Sequence, residues 1–182
     1  MNLLLRFTAT CLFSLLLAAA TARAEEKNGL NVTVVKTTVE KKDTRSGYAE
    51  SKGYYETLNR TQALKVTLKN TSFKPMPEGE LEWKIVVVGA YSSRLQTGSE
   101  KVKALKPANV QELVIGNAEV SGWRRGTSKK EDRVEWQITV KQGETEIIKT
   151  QSSPEFDALA KHATKAYDKD AGAAAGKDGG KN

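Results

Sequence analysis

The sequence predicts an all-β protein, an antiparallel sandwich of about seven strands followed by a C-terminal amphipathic helix. Three observations point there. Apolar and polar residues alternate along Ala63–Lys69, Leu81–Val88 and Arg133–Lys141. Turn signals separate these runs: Asn70-Thr-Ser, Pro75–Gly79, Lys106–Asn109 and Gln142-Gly143. No segment of helical period and length interrupts the chain between Leu30 and Gln151.

The N-terminal 24 residues read as a secretory signal peptide. Arg6 precedes a Leu-, Phe- and Ala-rich run to Ala20, and Ala22 and Ala24 occupy positions −3 and −1 of a cut before Glu25. The apolar run is short and a polar chain follows it, so no transmembrane segment is expected in the mature chain. The expected location is periplasmic or secreted. Cys11, the one cysteine, leaves with the leader and lies too early to be a lipid-anchoring cysteine. The mature chain therefore has no disulfide and must rely on its core. Cleavage removes Arg6 and Arg23 and no acid, taking the net charge from +7 to +5. Lysines and glutamates are interspersed along most segments, the pattern of a solvated surface.

The β-sandwich domain is expected over residues 25–151. Leu30–Val39 is rich in Val and Thr. Ala63–Lys69 puts Leu64, Val66 and Leu68 on one face, and Leu81–Val88 turns Leu81, Trp83, Ile85 and Val87 inward. Val110–Ile115 is a further apolar run, and Lys101–Leu105 a short edge strand. Arg133–Lys141 alternates Val134, Trp136, Ile138 and Val140 with Glu135, Gln137, Thr139 and Lys141. A two-residue Gln142-Gly143 loop would place Ile138 opposite Ile147, leaving Ile148 on the outer face. Lys41–Arg60 fits less well; its part from Gly53 to Leu58 is expected to extend the following strand.

Ser152-Ser-Pro-Glu-Phe156 reads as a helix start, with Ser as cap and Pro154 in the first turn. Phe156, Leu159, Ala160, Ala163 and Tyr167 recur at helical spacing, so a helix of about four turns is expected over residues 152–168. It would cover the outward-facing Val86, Val88 and Ile148. Residues 169–182 contain only Ala, Gly, Lys, Asp and Asn and are expected to be a disordered tail.

Three runs resemble strands of an immunoglobulin-like or fibronectin type III-like domain: Leu64–Asn70 strand B, Leu81–Ile85 strand C with its buried Trp, and Val134–Val140 strand F. The resemblance implies an immunoglobulin-like sandwich. Val66 and Ile138 stand where antibody-type domains carry cysteines, and Trp136 replaces the corner tyrosine. A fold of this kind implies no single function.

No catalytic, metal or cofactor site is expected. His162 is the mature chain's sole histidine and shares the polar side of the helix with Lys161 and Lys165. Glu78, Glu80 and Glu82 alternate on one strand face and form the alternative reading, a carboxylate-dependent polysaccharide hydrolase. Lys74 and Lys84 beside them suggest a mixed-charge exposed face instead. The main binding candidate is a basic aromatic loop, Trp123-Arg124-Arg125 with Lys129 and Lys130, flanked by Gly122 and Gly126. Trp123 would stack on a flat ligand while the arginines fork onto its anionic groups. The structural reading, with Trp123 closing the end of the core, leads. Tyr48, Tyr54 and Tyr55 form a second candidate, an aromatic platform for carbohydrate, against which stands simple edge-strand packing. The expected function is thus a non-catalytic binding or structural module of the cell envelope. Its partner would be an anionic glycan or an envelope protein, and not nucleic acid, because the basic charge is diffuse and the chain is exported.

Overall fold

The computed structural model describes residues 23–46 and 55–165. The expected signal peptide up to residue 22, Tyr48, Tyr54 and the expected tail lie outside the described residues. The first sheet contains β1 (Arg23–Lys27), β2 (Leu30–Lys41), β4 (Tyr55–Asn70), β7 (Val110–Arg125) and β8 (Ser128–Glu131) in the order β1-β2-β4-β7-β8, with β3 (Thr44–Ser46) also paired to β4. The second contains β5 (Gly79–Val88), β6 (Ser93–Val102), β9 (Arg133–Gln142), β10 (Thr145–Gln151) and β11 (Thr164–Lys165), in the order β10-β9-β5-β6-β11. Every pairing is antiparallel except the two-residue β11 along β6. The expected all-β antiparallel sandwich is what forms. Seven strands of seven residues or more carry it, and four shorter ones trim its edges. The expected cut before Glu25 falls inside β1 and would leave Glu25–Lys27 paired to β2.

The inner faces meet in one core that includes Leu64, Val66, Leu81, Ile85, Trp136 and Ile138. Trp83 packs against this core and is only partly buried, because its indole lies over Gly98 on the neighbouring strand. A Cβ at Gly98 would come within 2.4 Å of the ring, so the glycine makes room for the tryptophan.

β9 is an interior strand, with β5 on one side and β10 on the other, and its outer face is covered. Glu135, Gln137 and Thr139 are accordingly buried along with the apolar set. The covering layer is α1 (Phe156–His162), which packs against β5, β6 and β9. This helix has two turns rather than four. Ser152 does not cap it: its hydroxyl accepts from Trp136 N at 2.8 Å and donates to the Glu135 carboxylate. The N-cap position falls to Glu155, without a side-chain cap bond, and the preceding turn closes through Ser153 O, which accepts from Phe156 N at 3.1 Å. The chain leaves the helix at Ala163, which is extended, and adds β11 to β6.

The last hairpin also differs from the expected register. Gly143 adopts φ +58°, and Gln142 pairs with Thr145, so the loop is Gly143-Glu144. A bulge between Glu146 and Ile148 then sets Ile138 opposite Thr150 and Val140 opposite Ile148. That extra residue turns Ile148 into the core and leaves Ile147 partly buried.

Side chains close the flanks of the sandwich. On one side Arg94 Nη2 donates to Glu119 O at 2.7 Å, Gln96 Nε2 to Asn117 O at 3.2 Å, and Gln111 accepts from Lys103 N at 3.0 Å. On the other, Asn28 Nδ2 donates to Ile147 O at 3.0 Å, and Lys36 reaches across to Val134 O. Burial pulls the Lys36 ammonium below its ordinary pKa, while Glu135 opposes that shift. These bonds engage backbone carbonyls, and at Lys103 an N–H, that a sheet edge would otherwise leave free. Asn70, fully buried, donates to Lys74 O and Leu105 O and accepts from the Ser72 amide and hydroxyl, which fixes the turn after β4. The Asn70-Thr-Ser turn signal of the sequence is this turn.

Candidate functional site

The segment expected as a basic loop is strand. β7 continues through Trp123 to Arg125, and only Gly126-Thr127 turns the chain into β8. Gly126 supplies the left-handed residue of that turn at φ +56°. Gly122, read as a loop signal, lies inside the strand where a Cβ would meet Lys130 O at 2.4 Å.

Strand register sorts the candidate residues onto two faces. Tyr55 pairs with Arg125, Thr57 with Trp123 and Trp123 with Lys130, so these side chains share one face. Glu56 pairs with Arg124, and Arg124 with Lys129, so these occupy the other. That second face is electrostatically satisfied. Arg124 Nη1 lies 3.6 Å from Glu56 Oε2, and Lys129 contacts Glu131. Arg60 is 2.9 Å from Asp43 and 3.3 Å from Glu131. Arg124 and Lys129, expected as anion ligands, are therefore committed to carboxylates. On the first face, Arg125 and Lys130 have no ion-pair partner among the described residues.

Trp123 is neither a loop side chain nor part of the core cluster. Its ring stacks with that of Tyr55, centroids 6.5 Å apart and planes inclined by 15°. Tyr55 is 42% exposed. The basic-aromatic candidate and the tyrosine candidate thus merge into one patch through Tyr55: two near-parallel rings, each with a cation directly across the ladder.

The patch borders an open groove of about 500 Å³. Trp123, Lys130, Glu131 and Asp132 line one side, and Arg94 with the hairpin residues Gly89–Ser92 line the other. Tyr91, at the hairpin tip, is fully exposed. Neither Tyr91 nor Arg94 stands out in the sequence, since β6 brings them to Trp123 only through tertiary packing. Asp132 Oδ2 accepts from Ser121 N at 3.1 Å, which ties the end of β8 to β7.

Glu80 and Glu82 occupy the same face of β5, and Glu78 precedes the strand. Glu82 accepts a hydrogen bond from Lys141 on β9, the pairing of a mixed-charge face. His162 ends α1 in an exposed position. Among the described residues no group of three His, Cys, Asp or Glu could hold a metal ion, and no helix is long and apolar enough to cross a membrane.

The Asp43–Arg60 pair holds Lys41–Asp43 against β4. Hydrogen bonding from Arg60 lowers the Asp43 carboxyl from 3.8 to about 2. A pKa lowered by folding stabilises the fold above the unfolded value, and this contribution fades as pH falls through 3.8 toward about 2. Asp43→Asn is therefore expected to lower the urea midpoint at neutral pH and to match the parent near pH 2. Equal midpoints at neutral pH would remove the pair from the account of stability.

Comparisons of the chain with family models, with curated proteins and with solved structures give no match.

Proposed function

We propose that this protein is an exported, non-catalytic binding module of the cell envelope that holds an anionic ligand against the Tyr55–Trp123 patch. The observation that carries the reading is the sorting of charge by register. Among the described residues, Arg125 and Lys130 flank stacked aromatics without a carboxylate partner, while the neighbouring Arg124 and Lys129 are both paired. Flat apolar rings beside unpaired cations suit a ligand with a flat apolar face and a carboxylate, sulfate or phosphate group. The leader-like N-terminus supports export.

The strand order supports the immunoglobulin-like reading as well. With β4, β5 and β9 taken as strands B, C and F, β2-β4-β7 reads A-B-E and β10-β9-β5-β6 reads G-F-C-C′. The patch then sits on strands B and E, beyond the end of the shorter second sheet.

Binding to immobilised acidic polysaccharide at low and high salt tests the proposal. Affinity is expected to fall with salt and to drop about tenfold in the Arg125→Ala/Lys130→Ala double variant. Arg124→Ala should change it less than about twofold, because that side chain already serves Glu56. Equal losses in both variants would mean that bulk charge, rather than the patch, holds the ligand.

A further inference from the structure

We infer, resting on the binding reading above, that the ligand is a chain-like acidic glycan that runs from the aromatic patch into the adjoining groove. Trp123 and Lys130 belong to both: they complete the patch and line the groove. Tyr55 marks one end on β4, and Tyr91 the other on the hairpin between β5 and β6. Two ladder spacings, about 10 Å, separate β4 from β8 before the groove begins. A ligand touching both tyrosines must exceed one sugar ring in length.

The groove's carboxylates choose the chemistry. Glu131 is matched by Arg60 and Lys129, whereas among the described residues Asp132 has only the Ser121 amide. Both a polynucleotide and an acidic glycan can carry an anion at every unit, so charge does not separate them. A deoxyribonucleotide chain, however, has no backbone hydroxyl that Asp132 could accept from. An acidic glycan has hydroxyl donors on every ring, which a carboxylate accepts. Its ring faces also present the apolar C–H surface that stacked aromatics cover, while its acid groups meet Arg125 and Lys130. Tyr91 gives the far end a second aromatic contact.

Titration calorimetry with galacturonate dimers, tetramers and octamers, and with oligothymidylate, tests this on the purified protein. The octamer is expected to bind at least about tenfold more tightly than the dimer. Tyr91→Ala should lower octamer affinity far more than dimer affinity, bringing the two lengths together, with the urea midpoint reporting that the fold is intact. Trp123→Ala should weaken both lengths. Equal affinity for dimer and octamer would overturn the extended site and leave the anion-binding patch standing. Tighter binding of oligothymidylate than of the octamer would reassign the site to polynucleotide and overturn the glycan. Failure of every acidic probe would overturn the binding reading together with this one.

Discussion

Phe156→Ala is expected to destabilise the protein by about 3–5 kcal/mol, the usual cost of deleting a buried aromatic ring. Phe156 opens α1 and is the helix's one buried residue, with no measurable exposure. It lies outside the main inter-sheet core and anchors a second apolar layer, between the helix and the outer face of the β10-β9-β5-β6 sheet. Val86 on β5 is fully buried yet likewise absent from the inter-sheet cluster. That layer also shelters polar groups. Gln137 donates to Asp157 on the helix and to Gln151 on β10, both at 3.0 Å. Loss of the ring would therefore admit water to a row of buried polar side chains as well as open a cavity. Urea unfolding followed by tryptophan fluorescence reads the effect. Leu159→Ala, at a partly exposed position of the same helix, should cost far less. Similar midpoints for Phe156→Ala and the parent would show that the helix is peripheral to the cooperative unit.

The strands that alternate cleanly were legible because one face is buried and the other wet. Val134, Trp136, Ile138 and Val140 gave the inner face of β9 at once. What alternation does not carry is whether the polar face is also covered; Glu135, Gln137 and Thr139 look solvent-bound in sequence and are buried by α1 and its flanking turn. β6 was legible only at its end, as Lys101–Leu105. Ser93–Val102 has two large apolar residues, Leu95 and Val102, and a glycine in the middle, so nothing local marks it as a strand. It exists because β5 offers it ten paired positions. The helix was over-read at both ends. Ser152 has the chemistry of a cap but a closer use, bridging β9, and Thr164–Lys165 are strand rather than helix.

The candidate site was legible as a list and not as an arrangement. Trp123, Arg125, Lys130 and Tyr55 were all named, and the structure brings these four onto one face. Arg124 and Lys129 have the same chemistry and differ only in parity, which is invisible until the segment is known to be strand. Once it is, adjacent arginines must point opposite ways, and Glu56 opposite Arg124 settles which one is neutralised. Gly122 caused the misreading, because a glycine that permits close strand approach looks in sequence like a loop hinge, which Gly126 in the turn actually is.

A third glycine had the same effect on β7 and leads to the second large prediction. The apolar run was ended at Ile115, but the strand continues through Gly116, whose φ is +69°. Gln62 and Leu64 on β4 pair with Ala118 and Ile115, so β7 carries one residue more than its partner across this step. Such a bulge keeps a sixteen-residue strand twisting with the sheet and lets Ile115, Ala118 and Val120 all face the core. Gly116→Ala meets two penalties. A left-handed φ costs an L-residue about 1–2 kcal/mol. The new Cβ would also lie 2.2 Å from Ile85 Cδ1, and Ile85 is itself fully buried, so relief requires repacking, at about 1–3 kcal/mol. A total loss of about 2–5 kcal/mol is expected, read as a lower urea midpoint with unchanged slope. The two penalties separate in a double variant. Ile85→Val removes Cδ1, so Gly116→Ala should cost less on that background, leaving the φ term alone. If Gly116→Ala costs the same with Ile85 and with Val at position 85, the steric half of the argument fails. If it is neutral in both, the bulge does not depend on glycine at all.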